Sequence, residues 1–89
     1  MAYGSVTITT SPTVIVAANS RRLSLMIENN DSVTIFIGQD TNLTTSNGVP
    51  LFANANVTED SGGQRMYMGP FYGIVASSTA NIRYWEREQ

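Results

Sequence analysis

The chain reads as an all-β protein, an antiparallel β-sandwich of jelly-roll-like layout with about eight short strands. Three observations predict it. Apolar and polar residues alternate with a period of two along almost the whole of its 89 residues, as in half-buried strands. Ten Thr, nine Ser and eight Asn supply groups suited to strand surfaces and turns rather than to helix interiors. The strands are short and return every 8 to 12 residues or so between polar turns, the spacing of sandwiches and small barrels.

Ser5 to Thr10 is the first strand, with Val6 and Ile8 inward, and Ser11-Pro12 ends it because proline cannot donate to a ladder. Thr13 to Ala17 resumes with Val14 and Val16 inward. After the turn at Asn19-Ser20, Arg22 to Asn29 places Leu23, Leu25 and Ile27 on one face and Ser24, Met26 and Glu28 on the other. Asn29-Asn30-Asp31-Ser32 has turn chemistry, so Val33 to Ile37 is expected to return beside the preceding strand as a hairpin, with Val33, Ile35 and Ile37 in the core.

Gly38 to Ser46 has loop composition, and Asn47-Gly48 is a turn dipeptide before Val49 to Phe52, where Pro50 predicts an edge position. Ala53 to Asn56 turns the chain into the weak strand Val57 to Asp60. Ser61-Gly62-Gly63 is expected as an exposed loop, followed by a short strand over Arg65 to Met68. Phe71 to Ala76 and Asn81 to Glu86 are expected to pair across Ser77-Ser78-Thr79. Residues 13–89 form one domain, and residues 1–12 are an arm or a strand exchanged with a neighbour.

Charge narrows the function classes. Charged residues make up 13%, against about 25% in ordinary domains. Net charge is −2 and lysine is absent, so no basic patch exists to neutralise phosphates or an anionic membrane surface. Neither nucleic acid nor a membrane is an expected partner. The start Met1-Ala2-Tyr3-Gly4 has no basic or strongly apolar stretch, which points to synthesis in a cytoplasm.

Without His, Cys or Lys the chain lacks the commonest general base, metal ligand, thiol nucleophile and Schiff-base former. No enzymatic activity and no cofactor are expected. Of the seven carboxylates, Glu86 and Glu88 share a face of the last strand, and Asp31, Asp40, Glu59 and Asp60 could meet around calcium, though no loop of alternating oxygen ligands appears. Solvated strand ends explain these acids better. Three Asn-X-Thr/Ser matches at Asn30, Asn42 and Asn56 are expected by chance in so Asn- and Thr-rich a chain.

Tyr67, Phe71, Tyr72, Tyr84 and Trp85 cluster in the last third among Arg65, Arg83 and Arg87. They could form a stacking platform for a sugar, through Trp85, Tyr84 and Tyr72, or fill a core and an interface. A surface poor in charge and rich in Met and aromatics suits contact, so a homo-oligomer is expected, as a trimer. The expected contact residues are Arg21, Arg22, Met66, Tyr67, Met68 and Trp85.

From Val14 onward the layout resembles small bacteriophage virion proteins built of a single β domain. The likeness rests on Arg21-Arg22-Leu23, Leu25, Ile27, Glu28-Asn29, on a second strand ending in Ile37-Gly38, and on Thr45-Ser46-Asn47-Gly48-Val49-Pro50-Leu51. Phe71-Tyr72-Gly73-Ile74-Val75-Ala76-Ser77 and Asn81-Ile82-Arg83 with an acidic tail complete it. Ala53 to Met68 departs from the pattern, being longer and broken by glycine. The resemblance implies a structural role in the virion: a decoration or cement subunit on the major capsid protein, or a part of a head or tail attachment. The alternative is a receptor- or carbohydrate-binding module of a head or tail fibre.

Overall fold

The computed structural model describes residues 2–60 and 67–88. Eight strands run β1 (Ala2–Ile8), β2 (Thr13–Val16), β3 (Arg22–Asn29), β4 (Ile35–Gly38), β5 (Val49–Leu51), β6 (Asn56–Asp60), β7 (Phe71–Ile74) and β8 (Ala80–Glu88). They form two four-stranded sheets of order β1-β8-β3-β6 and β2-β7-β4-β5, with every pairing antiparallel. Two sheets with this strand order make a jelly roll. The expected strand at Arg65 to Met68 and the loop at Ser61-Gly62-Gly63 lie mostly outside the described residues; Tyr67 and Met68 are not in a strand.

The core fills the space between the sheets with Ile8, Leu25, Ile27, Ile35 and Ile82 at its centre, each at most 2% exposed. The period-two pattern named Ile8, Leu25, Ile27 and Ile35 as inward, and Ile82 joins them. Gly73 belongs to the same layer, since a Cβ there would sit 3.2 Å from both the Ile15 and Ile8 side chains. Pro50 does lie on an edge strand, β5.

Two expected pairings are wrong in the same way. β4 does not return beside β3, and β7 does not pair with β8; each pair is split between the two sheets. Both connections are anchored to the end of the sandwich instead. Asn29 is fully buried, its Nδ2 donates to the carbonyls of Val33 and Leu51, and its Oδ1 accepts from Asp31 N. Asp31 Oδ2 in turn accepts from Asn81 N, and Asn30 N donates to Asn81 O. Val33, expected inward, lies on this crossing and is exposed. Beyond β7, Val75 is buried and its N–H donates to Thr9 O, while Ser78 takes a positive φ of 62°.

Irregular registers correct two further inward assignments, Val14 and Leu23. The β2–β7 register shifts between Val14 and Val16, so Ile15 and Val16 are both buried and Val14 is exposed. The β3–β8 register shifts between Arg22 and Ser24, leaving Leu23 half-buried and turning Arg22 into the core. An extra residue in one strand reverses the faces on one side of it, and alternation alone does not reveal it.

Residues 2–8, expected as an arm or an exchanged strand, pair in the single chain with β8 over the whole of β1.

Candidate interaction surfaces

Arg22 shows how the fold disposes of an expected contact residue. Its side chain is buried, with Nε donating to Glu86 Oε2 at 2.6 Å. One terminal nitrogen donates to the carbonyls of Tyr67 and Gly69, both at 2.9 Å, and the other to Ala17 O at 3.0 Å. The guanidinium also lies 5.9 Å from the Phe71 ring centroid, within cation–π range. A buried charge requires such a complete set of partners. Arg22 therefore ties β3 and β8 to the loops before β3 and before β7, and offers nothing to a partner molecule.

The other expected contact residues separate into two places. Arg21 is exposed, its backbone N–H donating to Asn19 Oδ1. Asn19 N donates to Met68 O and Asn19 Nδ2 to Glu88 Oε2, so Arg21, Met68 and the end of β8 share one end of the sandwich. The hydrogen bond from Asn19, aided by the charge of Arg21, holds the Glu88 carboxyl below the ordinary value of 4.5. Tyr67 is half-buried, with its hydroxyl donating to Pro70 O and its ring edge-on to Phe71 at 5.1 Å. Met68 is exposed. Met66 lies outside the described residues.

Trp85 stands apart, on the outer face of the first sheet. It is directly opposite Tyr3 on β1 and Met26 on β3, so a stripe Tyr3–Trp85–Met26 crosses three strands. The adjacent row is Ser5–Arg83–Glu28, with opposite charges facing one another across β8 and β3. Together these rows line a shallow depression of about 620 Å³. The expected sugar platform is not assembled: Tyr84 turns inward against the core, and Tyr72 lies on the second sheet, on the face opposite the core residues Phe71 and Gly73.

A second surface went unforeseen. Where edge strands β5 and β6 border the open side of the sandwich, a groove of about 670 Å³ has the buried core residues Leu25, Ile27, Ile37 and Leu51 in its wall. Val49, Phe52 and Val57 line it and are themselves exposed. Glu59 also lines it, opposite the core residue Leu25 in the ladder. The groove forms because β5 and β6, consecutive in the chain, are edge strands of different sheets, and period-two reading had no signal for that.

The remaining acids are dispersed or engaged. Asp31 caps Asn81 N, Asp40 accepts from Asn42 N, and among the described residues no group of three or more His, Cys, Asp or Glu comes together. Glu86, expected on a solvated face with Glu88, is buried against Arg22. Comparison of the chain with protein-family models, with curated proteins and with solved structures yields no match.

Proposed function

We propose that the protein is a structural subunit of a bacteriophage particle, a decoration or cement protein that stabilises the capsid shell by adhesion. The observation that carries this reading is the pair of apolar surfaces on different sides of one small jelly roll: the β5/β6 groove and the Tyr3–Trp85–Met26 stripe. A chain with two such faces can hold one neighbour on each. The residues that resemble phage virion proteins, Leu25 and Ile27 on β3, Ile37-Gly38 on β4 and Phe71 to Ile74 on β7, form the frame between those faces. Each copy would add apolar burial worth about 25 cal/mol per Å² before the cost of association, repeated over many copies of a shell.

The test is particle stability. Particles lacking the protein are expected to open at lower temperature or milder osmotic stress, and adding back the purified chain restores them. Particles of unchanged stability that fail to bind the chain would overturn the proposal.

A second reading, recognition of a carbohydrate by a fibre module, is favoured by Trp85 and Tyr3 lying side by side with Glu28 and Arg83 in the next row. Aromatic faces beside charged hydrogen-bonding groups suit a sugar ring. Binding on a glycan array that is lost in Trp85→Ala supports this reading, and an array with no binding discards it.

A further inference from the structure

A sheet edge presents unpaired N–H and C=O groups, and natural proteins block such edges with proline, charge, bulges or brevity. Of the four edge strands here, three are blocked. β5 has three residues with Pro50 in the middle. β2 has four residues with an irregular register at Ile15. β6 ends in Glu59-Asp60, and Glu59 borders the groove between the sheets, an inward charge of the kind that deters an added strand.

β1 has none of these devices. It is seven residues long, Ala-Tyr-Gly-Ser-Val-Thr-Ile, without a charge or a proline, and it pairs with β8 residue for residue with no register shift. Among the described residues no strand pairs with its other side. Tyr3, at this open edge, is 82% exposed, although its backbone is regular and its inner neighbour Trp85 is half-buried.

We infer that β1 pairs antiparallel with β1 of a second copy of the chain, about a two-fold axis at Ser5, joining two four-stranded sheets into one of eight strands. The edge selects its own likeness. A two-fold axis perpendicular to the sheet makes two copies of a strand antiparallel and self-complementary. With Ser5 opposite Ser5, all seven residues find partners: Ala2 faces Ile8, Tyr3 faces Thr7, and Gly4 faces Val6. This register also keeps faces matched, since Val6 and Ile8 stay on the core side and Tyr3, Ser5 and Thr7 stay outside.

Charge points to the same occupant. With a net charge of −2, copies of this chain repel most where carboxylates meet, and Glu59 and Asp60 lie on the opposite edge of the same sheet. An uncharged edge gives a charged partner nothing to be steered by, whereas it meets an identical edge without repulsion. Tyr3 would then lie beside a β-branched residue instead of water, a favourable cross-strand pair. The solution unit becomes a two-fold dimer rather than the trimer expected from composition. The inference stands whether or not the protein coats a shell.

The chain has no cysteine, which makes cross-linking specific. Opposite residues of an antiparallel pair have Cα atoms about 4.5 or 5.5 Å apart, both within reach of a disulfide. On mild oxidation Ser5→Cys is expected to run as a covalent dimer, while Thr58→Cys, on the far edge strand, stays single. Sedimentation of the unmodified chain should give twice 9.7 kDa. Ser5→Lys, at an exposed position, sets two ammonium groups opposite each other and should weaken association at least tenfold with the circular dichroism spectrum unchanged. A monomer or a trimer by mass, a dimer that Ser5→Lys leaves intact, or a disulfide that forms as readily at Thr58→Cys would each overturn the inference. If Ser5→Lys fails to fold, the cross-linking comparison decides.

Discussion

Arg22 Nε and Glu86 Oε2 meet at 2.6 Å inside the protein, both side chains shielded from solvent, although the two residues are 64 positions apart in the chain. The pair exists because the β3–β8 register shifts at Leu23 and turns an arginine inward opposite the buried stretch of β8. Removing one partner of a buried pair strands the other charge, at a cost of about 3–5 kcal/mol. Arg22→Met also orphans the carbonyls of Ala17, Tyr67 and Gly69, so its loss should reach the upper end of that range. Glu86→Gln keeps an oxygen acceptor for Nε but leaves the Arg22 charge without its counter-ion, and a loss at the lower end of that range, about 3 kcal/mol, is expected. Urea unfolding of both variants checks the order, and equal losses would contradict the network described.

Asn29 is the polar hinge over which the chain changes sheets. Its amide donates to Val33 O at 2.7 Å and Leu51 O at 2.9 Å. Asn29→Ala leaves two carbonyls without a side-chain donor and is expected to cost about 2–3 kcal/mol. Asn29→Asp, which lacks the donor but keeps the shape, should be at least as harmful. Thermal unfolding of the two variants distinguishes lost hydrogen bonds from lost packing.

Leu43 holds the β4–β5 loop to the sheet. It is buried, and a Cβ at Gly38 or Gly48 would lie within 2.8 Å of its Cδ1. Leu43→Ala is expected to cost about 2–3 kcal/mol. Gly48→Ala, which would also meet Phe36 Cβ at 2.8 Å, is expected to destabilise by about 1–3 kcal/mol through overpacking. Amide hydrogen exchange should show both losses first in residues 39–48.

Asn54 and Ser78 both have φ near 62°. Asparagine tolerates this left-handed region and serine does so less well, at a cost of about 1–2 kcal/mol for an ordinary residue. After the extra unfolded-state entropy of glycine is subtracted, Ser78→Gly should raise stability by up to about 1 kcal/mol, with Asn54→Gly near neutral. Melting temperatures of the pair test this, and a stability loss in Ser78→Gly would refute it.

Glu88 is an exposed carboxylate whose folded pKa is lowered by the Asn19 amide and the Arg21 charge. A lowered folded value means that its stabilising contribution is complete above the ordinary 4.5 and is lost as pH falls through the folded value. Carboxyl NMR titration should place its midpoint below 4.5, and Asn19→Ala should move that midpoint upward.

Alternation over Arg22 to Asn29 and Asn81 to Glu86 was enough to read strands, and over the first of them to name Leu25 and Ile27 as core, because side-chain direction in a strand is a local property with a period of two. Proline at position 50 likewise told of an edge, since a missing donor is a property of one residue. Of the expected contact residues, Trp85 lies on an outer sheet face and Arg21 and Met68 at one end, yet nothing in the sequence separated Arg22 from them. A one-residue slip against β8 decides that side chain's direction, and slips belong to pairs of strands.

The chain by itself determined that it would be strands and turns, poor in charge and without the usual catalytic side chains. Only the tertiary structure decided which strands are neighbours: β3 with β6 and β8, β7 with β2 and β4. The β5/β6 groove, the Tyr3–Trp85–Met26 stripe and the unblocked edge of β1 all follow from that choice. Local preferences act over a few residues, whereas the jelly-roll order comes from burying Ile8, Val75 and Ile82 together across more than 70 positions of chain, which no short window contains.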